Sequence, residues 1–449
     1  MPNHKKKNPT EGREDTAPAA LSFTTISDTD GEKNDNSTSS LRSVTYQHSH
    51  TLNIINKTSN STMLALSLLL SLTVTVSNPI DVAREAVPVT VPLSQKGKEV
   101  NSVTIQGHPE IAWQLDDLND DGRADELVFL VDLKPNATET YRIETSDALP
   151  ASSFEPGTYA YIRLNDKNKK YPKIQAIAFP GDTDNRQMYS SIYGHGAVLE
   201  GLYNAIRVYM DNRQSVDLYA KNTPRLELAE TGFYTTRQQL EEGYGRDVLW
   251  AGTSVALGSF RGYQNGSPVT IDSVTTRSQR VVTTGPVRSI IEVSDRGWIY
   301  NGQPVEMRQR YTVYDRHRDY DVEIKLTGAK PNSTFCTGVQ KLAIDNEGFL
   351  TPQGLAGSWG SNVPDKGMAD ISDTVGLGIW VPSVNLKEVK EDDVNYLTLL
   401  RPDKNGEIRY SFTSGALRDS ASPHTAAEWF KHLRDWEKLK NNPVKIQIR

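Results

Sequence analysis

The sequence predicts an all-β fold, a large antiparallel β-sandwich with one C-terminal helix. After residue 87, most of the chain consists of short runs rich in β-branched and aromatic residues that are closed by Gly, Pro, Asn or Asp, which is the pattern of strands and turns. Several of these runs alternate apolar and polar residues, as half-buried strands do. A helical period of apolar residues appears at only two places. Chains with many strands and few helices form sheets that pack face to face.

The strand-like runs are spread along the whole body of the chain. No repeat of fixed period is visible, which disfavours a propeller or a solenoid. No Gly/Ser-rich linker divides the body, so residues 78–449 are predicted to form a single large domain. The clearest runs are Val87–Leu93, Glu126–Asp132, Thr140–Glu144, Tyr159–Leu164, Arg288–Val293 and Glu323–Thr327.

Two neighbouring runs, residues 203–210 and 215–221, alternate strictly. Side chains on a strand point to opposite faces with a period of two, so each run has one apolar face and one polar face. A second pair of runs, Arg308–Asp315 and Asp319–Lys325, predicts a long hairpin across a charged turn. The predicted polar faces of the first two runs consist of Arg207, Tyr209, Asp217, Tyr219 and Lys221.

Helices are expected at two sites. Residues 236–242 predict a short one. Residues 422–440 predict a longer helix with apolar residues at helical spacing, beginning at Ser422 and Pro423, which form a good cap and first-turn pair. The tryptophans of this helix, Trp429 and Trp436, are expected in the core, and Val444–Ile448 is expected to be the last strand.

Charge and cysteine content exclude several classes of protein. Acidic residues outnumber basic ones by 56 to 50, which gives a net charge of -6, whereas nucleic-acid-binding proteins carry a basic footprint. Cys336 is the single cysteine, so an intramolecular disulfide and a cysteine-based zinc site are excluded. We expect Cys336 to be a buried, inert thiol.

The first 77 residues are interpreted as a leader. Residues 1–62 are polar and are predicted to be disordered. The apolar run Met63–Val76 is too short to span a bilayer, which takes about 20 residues, but suits the apolar region of a signal peptide. This interpretation predicts export to the periplasm or the exterior, a mature chain that starts near Asn78, and no membrane span. The alternative is a hydrophobic strand or helix at the start of the domain.

An acidic loop, Asp117–Glu126, resembles the opening of a calcium-binding loop. Oxygen-bearing side chains stand at its first, third, fifth and ninth positions, with a glycine at the sixth, and Ca²⁺ is bound by such hard oxygen ligands. The twelfth position is Val128 instead of the Glu of an EF-hand. The loop therefore predicts a structural calcium site, with an acidic hairpin turn as the alternative. The candidate ligands are Asp117, Asn119, Asp121 and Asp125.

The densest group of chemically useful side chains lies between residues 193 and 221. His195 stands between two glycines, and histidine is the side chain best suited to change charge near neutral pH. Arginine can clasp a carboxylate with two parallel hydrogen bonds. Together with Glu200, these side chains could bind a sugar acid and move a proton, although a solvated sheet face with ordinary cross-strand pairs would show the same spacing.

The other histidines and the common catalytic motifs give weaker indications of an active site. His317 lies in a charged turn and is expected to be exposed, His424 lies at the start of the predicted terminal helix, and His108 lies in a loop. The sequence contains no His-Glu-x-x-His, Gly-x-Ser-x-Gly or phosphate-binding loop, which argues against the commonest zinc proteases, serine hydrolases and nucleotide-binding enzymes.

Three segments together resemble a family of β-rich proteins encoded beside polysaccharide-degrading enzymes in Bacteroidetes-type bacteria. They are the central run from His195 to Lys221, the segment Gly243–Leu249 and the acidic loop. Ala220 stands where that family's pattern has a glycine. The hairpin Tyr311–Leu326 also resembles the supersandwich sheets of mutarotase-like and polysaccharide-lyase proteins, so the resemblance implies a supersandwich-like fold.

The resemblance implies dehydration of the non-reducing-end uronic acid of ulvan-type oligosaccharides, and hence an anionic oligosaccharide as substrate. Such a reaction needs a base, an acid and positive charge near the carboxylate. On this hypothesis His195 and Tyr209 transfer protons, while Arg207, Arg213 and Lys221 hold the carboxylate. Two alternatives stay open: a glycoside hydrolase whose carboxylates are Glu200 and Asp217, and a glycan-binding protein without catalysis.

Overall fold

The computed structural model describes residues 70–93, 99–165, 173–364 and 372–449, and they form an all-β fold with few helices, as predicted. The helices are α1 (Asn185–Ser191), α2 (Leu228–Thr231), α3 (Arg237–Glu241) and α4 (Ala426–Lys440), with a short 3-10 helix at Tyr193–His195. The strands are β1 (Leu70–Ser77), β2 (Arg84–Pro92), β3 (Ser102–Ile105), β4 (Trp113–Asp116), β5 (Glu126–Leu133), β6 (Thr138–Ser146), β7 (Tyr159–Tyr161), β8 (Ala176–Pro180), β9 (Gly196–Glu200), β10 (Asn204–Tyr209), β11 (Val216–Ala220), β12 (Arg246–Asp247), β13 (Arg261–Gln264), β14 (Ser267–Val269), β15 (Thr276–Thr283), β16 (Arg288–Tyr300), β17 (Gln303–Tyr314), β18 (Asp319–Thr327), β19 (Phe335–Gln340), β20 (Ile344–Leu350), β21 (Leu355–Asn362), β22 (Asp373–Trp380), β23 (Leu386–Glu391), β24 (Asn395–Leu400), β25 (Glu407–Ala416) and β26 (Lys445–Ile448).

A small sandwich is formed by the N-terminal strands and the last strand of the chain. One sheet has the order β26-β1-β6-β3 and the other the order β2-β5-β4. Side chains from both sheets share one hydrophobic core, in which Val74, Val89 and Phe129 are fully buried. The C-terminal strand pairs with β1, so the two ends of the described chain close the same sheet.

Strand β1 occupies the second half of the apolar run that was interpreted as a signal peptide. It lies between β6 and β26, and Val74 and Val76 have no exposed surface. Cleavage beside Ser77 would remove this central strand, and the domain boundary predicted at residue 78 would leave it outside the domain. Residues 63–69 and the predicted disordered segment lie outside the described residues. Export to the periplasm or the exterior stays a prediction.

A large sandwich follows, built on a nine-stranded antiparallel sheet of order β20-β21-β22-β25-β18-β17-β16-β15-β8. Two five-stranded sheets, β12-β11-β10-β9-β7 and β14-β13-β19-β24-β23, share its main hydrophobic core. The predicted hairpin lies at the centre of the nine-stranded sheet, where β17 pairs with β18 from Glu306 opposite Thr327 to Val313 opposite Tyr320. Along β17, odd-numbered residues from Val305 to Val313 are buried, while Arg308 and Arg310 point to the outer face.

Helix α4 packs on the outer face of β21 and β22. Trp429 and Leu433 fit where Gly376 and Gly378 leave room, since a Cβ at either glycine would lie within 2.5 Å of these side chains. The helix starts later than predicted, because the side chain of Thr425 accepts a hydrogen bond from the Glu428 N–H and caps the first turn in place of Ser422. The short helix α3 is confirmed, with Thr236 as its cap.

Cys336 is buried on β19, as predicted. Burial raises the pKa of its thiol, so the thiol stays protonated and a nucleophilic role has no support. Within the described part of the chain, no helix is long and apolar enough to cross a membrane.

Candidate functional site

The central run forms β9, β10 and β11 of the sheet β12-β11-β10-β9-β7. Ile206, Val208 and Leu218 point into the main core, as the alternation predicts. The opposite face carries Arg207 and Asp217 directly across from each other on β10 and β11. This outer face is partly covered by Phe233 and its neighbours, so its polar residues are buried instead of solvated.

Arg207 is the centre of a buried hydrogen-bond network. Its Nε and Nη2 contact Asp217 Oδ2 at 3.0 and 2.6 Å, Nη2 contacts Asp247 Oδ2 at 2.7 Å, and Nη1 donates to Tyr234 Oη at 3.0 Å. The guanidinium also lies over the ring of Phe233 at 4.2 Å. Arg207 is 4% exposed, and its Nε and Nη2 are engaged by Asp217 and Asp247, so the structure favours a role in positioning its neighbours over the predicted clasping of a substrate carboxylate.

Lys221 and Glu200 form a second buried ion pair. Lys221 Nζ lies 2.6 Å from Glu200 Oε1 and also donates to the carbonyls of Gly201 and Arg225. Glu200 in turn accepts from the N–H groups of Glu227 and Leu228. Both side chains are fully buried, so neither is available to a substrate and the predicted binding roles of both are corrected to structural ones.

His195 is held in a fixed orientation at the edge of this face. Its backbone has φ of +69°, the left-handed region, and its ring stacks on Tyr189 with centroids 3.6 Å apart and planes 9° from parallel. His195 Nδ1 lies 2.9 Å from the Tyr189 carbonyl oxygen. A carbonyl only accepts, so Nδ1 carries the proton and Nε2 presents a lone pair.

The surroundings keep His195 neutral. Partial burial lowers the pKa of His195, and the positive charge of Arg207 acts in the same direction. A neutral imidazole with one nitrogen fixed as a donor leaves Nε2 as a base at neutral pH. His195 can therefore accept a proton at Nε2, and its catalytic role stays a prediction.

Tyr209 is a poor proton donor, in contrast to its predicted role. Its hydroxyl donates to Asp217 Oδ2 at 2.7 Å and accepts from Arg207 Nη2 at 3.2 Å. Burial, followed by the charge of Asp217, raises the pKa of Tyr209. Since its proton is already engaged with a buried carboxylate, Tyr209 supports the network and does not face a substrate.

Tyr234 is better placed for the role assigned to Tyr209. Its side chain is 44% exposed, and its ring centroid lies 6.1 Å from that of His195. Its hydroxyl accepts from Arg207 Nη1, which leaves the hydroxyl proton free to be donated. Burial raises the pKa of Tyr234 while Arg207 opposes the rise, so the phenol is protonated at neutral pH.

Arg213 is the cation of this site that solvent reaches. Its side chain is 38% exposed and its Nε and Nη2 contact Asp211 Oδ2 at 2.8 and 2.6 Å. The guanidinium lies over the rings of Tyr189 and Tyr209. Arg213 follows β10 in a turn, and it is the member of the predicted carboxylate-binding set that stays accessible.

Sequence reasoning missed Tyr189 and Tyr234. Neither belongs to the alternating strands: Tyr189 lies on α1 and Tyr234 follows α2. The run Phe233-Tyr234 and the aromatic residues before His195 were the available signals. Only the folding of both segments over the same sheet brings their rings against His195.

The acidic loop is ordered by its own side chains. Asp117 accepts hydrogen bonds from the N–H groups of Asp120 and Gly122, and Asn119 donates to Asp125 Oδ1 at 3.1 Å. Asp121 accepts from the Arg123 N–H. Among the residues that the structure describes, no group of three or more His, Cys, Asp or Glu side chains is arranged to hold a metal ion, and structural calcium stays a prediction.

The three other histidines considered in the sequence, His108, His317 and His424, lie outside this cluster. His317 is enclosed by neighbouring segments instead of exposed, because Nδ1 contacts Asp319 at 3.0 Å and Nε2 contacts the Ala86 carbonyl at 2.8 Å. His424 precedes α4, and its N–H donates to Glu428. His108 pairs with Glu110 in the small sandwich.

Comparisons with known proteins identify the family but no activity. Residues 76–446 match the family model described as "Domain of unknown function (DUF4861)". The chain is 23% identical over 397 residues to "Uncharacterized protein P7" of Formosa agariphila, an alignment that covers 84% of this chain and 93% of that protein.

Solved structures show only distant similarity. A protein in the glycosyl hydrolase family 38 and an alpha-mannosidase, both from Enterococcus faecalis, have a TM-score of 0.42 at 10% and 11% identity. The matches cover 84% of this chain but 47% and 46% of those proteins, so the chain spans about half of their length. A putative aldose 1-epimerase from Klebsiella pneumoniae has a TM-score of 0.27 at 9% identity, with 64% of this chain and 97% of that protein covered.

Proposed function

The chain belongs to the DUF4861 family. From the chemistry of its site, and from the sequence resemblance given above, which supplies the substrate, we propose that it is a carbon–oxygen lyase acting on acidic oligosaccharides. The reaction is loss of water from the non-reducing-end uronic acid of an ulvan-type oligosaccharide. The observation that carries the proposal is the fixed tautomer of His195, whose Nδ1–H is held by the Tyr189 carbonyl so that Nε2 is a neutral base.

The elimination can be written with three side chains. His195 Nε2 takes the proton from the carbon next to the carboxylate, and the electron pair of that C–H bond forms the new double bond. The adjacent C–O bond breaks, and the departing hydroxyl takes the Tyr234 proton and leaves as water. Arg213 contacts the carboxylate, where negative charge develops in the transition state.

Arg207 supports this chemistry without touching the substrate. Its hydrogen bond to Tyr234 Oη stabilises the phenolate that remains after proton donation. Its charge also keeps His195 unprotonated. Asp217 and Asp247 balance the buried charge of Arg207, which is the condition for keeping a guanidinium in the interior.

The two carboxylates of the glycoside hydrolase alternative are buried and paired in this fold. Glu200 is fully buried against Lys221, and Asp217 is 1% exposed and bound to Arg207 and Tyr209. Neither reaches a glycosidic oxygen or an attacking water, so the pair that a glycoside hydrolase needs is not provided by these two residues.

The proposal is tested by incubating the protein with saturated ulvan oligosaccharides and following ultraviolet absorbance of the unsaturated uronate. We expect His195→Asn to lower kcat by about a hundredfold or more, because general base catalysis contributes about 10²–10⁴-fold. Tyr234→Phe is expected to lower kcat as well, whereas Tyr209→Phe should mainly reduce stability.

His108→Asn and Tyr263→Phe are the matched controls, since both residues lie outside the cluster and should leave turnover unchanged. Mass spectrometry identifies the reaction through a product that is lighter by one water. Full activity of His195→Asn, or a product that has gained water, would show that the proposed reaction is wrong. Unchanged oligosaccharide that binds measurably would favour a glycan-binding protein instead.

A further inference from the structure

A polar groove runs over the outer face of the nine-stranded sheet. Three adjoining cavities of about 450, 250 and 660 Å³ share Arg310 as a lining residue. The floor consists of outward side chains of β16, β17, β18 and β25. Leu118 and Glu126 of the small sandwich and Lys440 at the end of α4 also line it. Pockets of about 300–1,000 Å³ commonly hold small ligands.

This groove is separate from the His195 cluster. The residues of β17 that alternate with Arg308 and Arg310 point inward, and Tyr311 and Val313 share the main core with Val208 of β10. Arg207, next to Val208, points to the far face of its own sheet. Two sheet layers therefore lie between the groove and the base, so one short oligosaccharide cannot occupy both.

The charges of the groove are nearly balanced and are held in place. Seven cationic and six acidic side chains line the three cavities. Arg310 contacts Glu292 at 2.7 Å and the Leu118 carbonyl at 2.9 Å, and Arg288 contacts Asp116 and Glu126, each at 2.7 Å. Such fixed, alternating donors and acceptors suit hydroxyl groups, which both donate and accept, and side chains that are already ordered lose little entropy on binding.

Two further side chains specify the ligand class. Trp380 lines the largest of the three cavities with a partly exposed indole whose N–H is held by Asn441 Oδ1 at 3.2 Å, and such a ring can cover the apolar face of a sugar. Arg308 is 52% exposed, and its ion pair with Glu292 is long at 3.8 Å. It is therefore a cation that a carboxylate or sulfate group on a sugar can engage.

We infer that this groove, lined by Arg308, Arg310 and Trp380, is a second binding site that takes a segment of an acidic polysaccharide. It holds the polymer while the His195 site acts on chain ends. The part that assigns catalysis to the His195 site rests on the proposed function, whereas binding in the groove does not, because it is measured without turnover.

Affinity electrophoresis with ulvan, alginate and neutral xylan tests the inference on the full chain. We expect wild-type protein to bind at least one acidic polymer, with affinity reduced about tenfold in Arg308→Gln, which removes a charge-assisted hydrogen bond. Trp380→Ala should reduce affinity roughly three- to tenfold. Trp380→Phe keeps an aromatic ring and most of the packing, and is expected to bind nearly as wild type.

Arg142→Gln is the matched control, because Arg142 is exposed on β6 of the small sandwich and lines none of the three cavities. His195→Asn should bind polymer as wild type does, and Arg308→Gln should retain turnover of short oligosaccharides. Binding of none of the three polymers, or unchanged affinity in folded Arg308→Gln and Trp380→Ala, overturns the inference. Loss of short-oligosaccharide turnover in folded Arg308→Gln overturns the separation of the two sites.

Discussion

Removal of β1 is expected to unfold the small sandwich. A chain that starts at Asn78 lacks the strand between β6 and β26, and with it the partner strand of the C terminus. Leu72, Val74 and Val76 are 8%, 0% and 0% exposed. Full burial of such a side chain contributes about 1.5–3 kcal/mol, so the three together contribute about 5–9 kcal/mol.

That loss is comparable with the whole free energy of unfolding of a domain, about 5–15 kcal/mol. The assay compares thermal unfolding of chains that start at Ala65 and at Asn78. We expect the longer chain to unfold cooperatively, and the shorter chain to show a separate low-temperature transition or to aggregate. Equal unfolding temperatures of the two chains would refute the assignment of β1 to the core and would restore cleavage beside Ser77.

A point substitution isolates the same effect. Val74→Asp places a charge in the core of the small sandwich and should lower the unfolding temperature strongly. Ser71→Asp, at an exposed position of the same strand, is its matched control and should change little. Similar behaviour of the two variants would contradict the register of β1.

Three further predictions concern the buried charges, the base and the acidic loop. Lys221→Ala removes the counter-ion of the buried Glu200 and is expected to cost about 3–5 kcal/mol in chemical denaturation; a loss below about 1 kcal/mol would contradict the pairing. The pKa of His195 is lowered and its neutral form is active, so turnover should persist below the ordinary histidine pKa of about 6.5 and fall at more acid pH; in kcat/KM profiles, an acid limb above that value would argue against His195 as the base. Chelation of calcium is expected to lower the unfolding temperature if the loop around Asp117 binds the ion, and unchanged unfolding in EGTA would count against calcium.

The sequence predicted most strands because their signals are local. Alternation in residues 203–210 and the hairpin at Arg308–Lys325 are confirmed in detail, since a period of two follows from strand geometry. The helix cap was misplaced by three residues, from Ser422 to Thr425, because both are good caps and only the contact of the helix with β21 and β22 selects between them.

The site was predicted in part. The prediction that Arg207 and Tyr209 lie on the same face of β10 is correct, since strand side chains alternate with a period of two. The polar face, however, was expected to meet solvent or substrate. The segment that contains Phe233 and Tyr234 covers it, and no local pattern predicts which distant segment folds over a sheet. His317 was misjudged for the same reason, since a backbone carbonyl from β2 reaches it.

The sequence by itself determined the strand-rich class, the alternation of faces, the terminal helix and the presence of a histidine flanked by glycines. These depend on neighbours within a few residues, where backbone geometry alone decides. The tertiary structure decided which charges are buried and paired, that Tyr234 and not Tyr209 has a free proton beside His195, and that half of the apolar run is a core strand. Each of these depends on contacts between segments far apart in the chain, whose free energy of burial and pairing is set only when the sheets pack together.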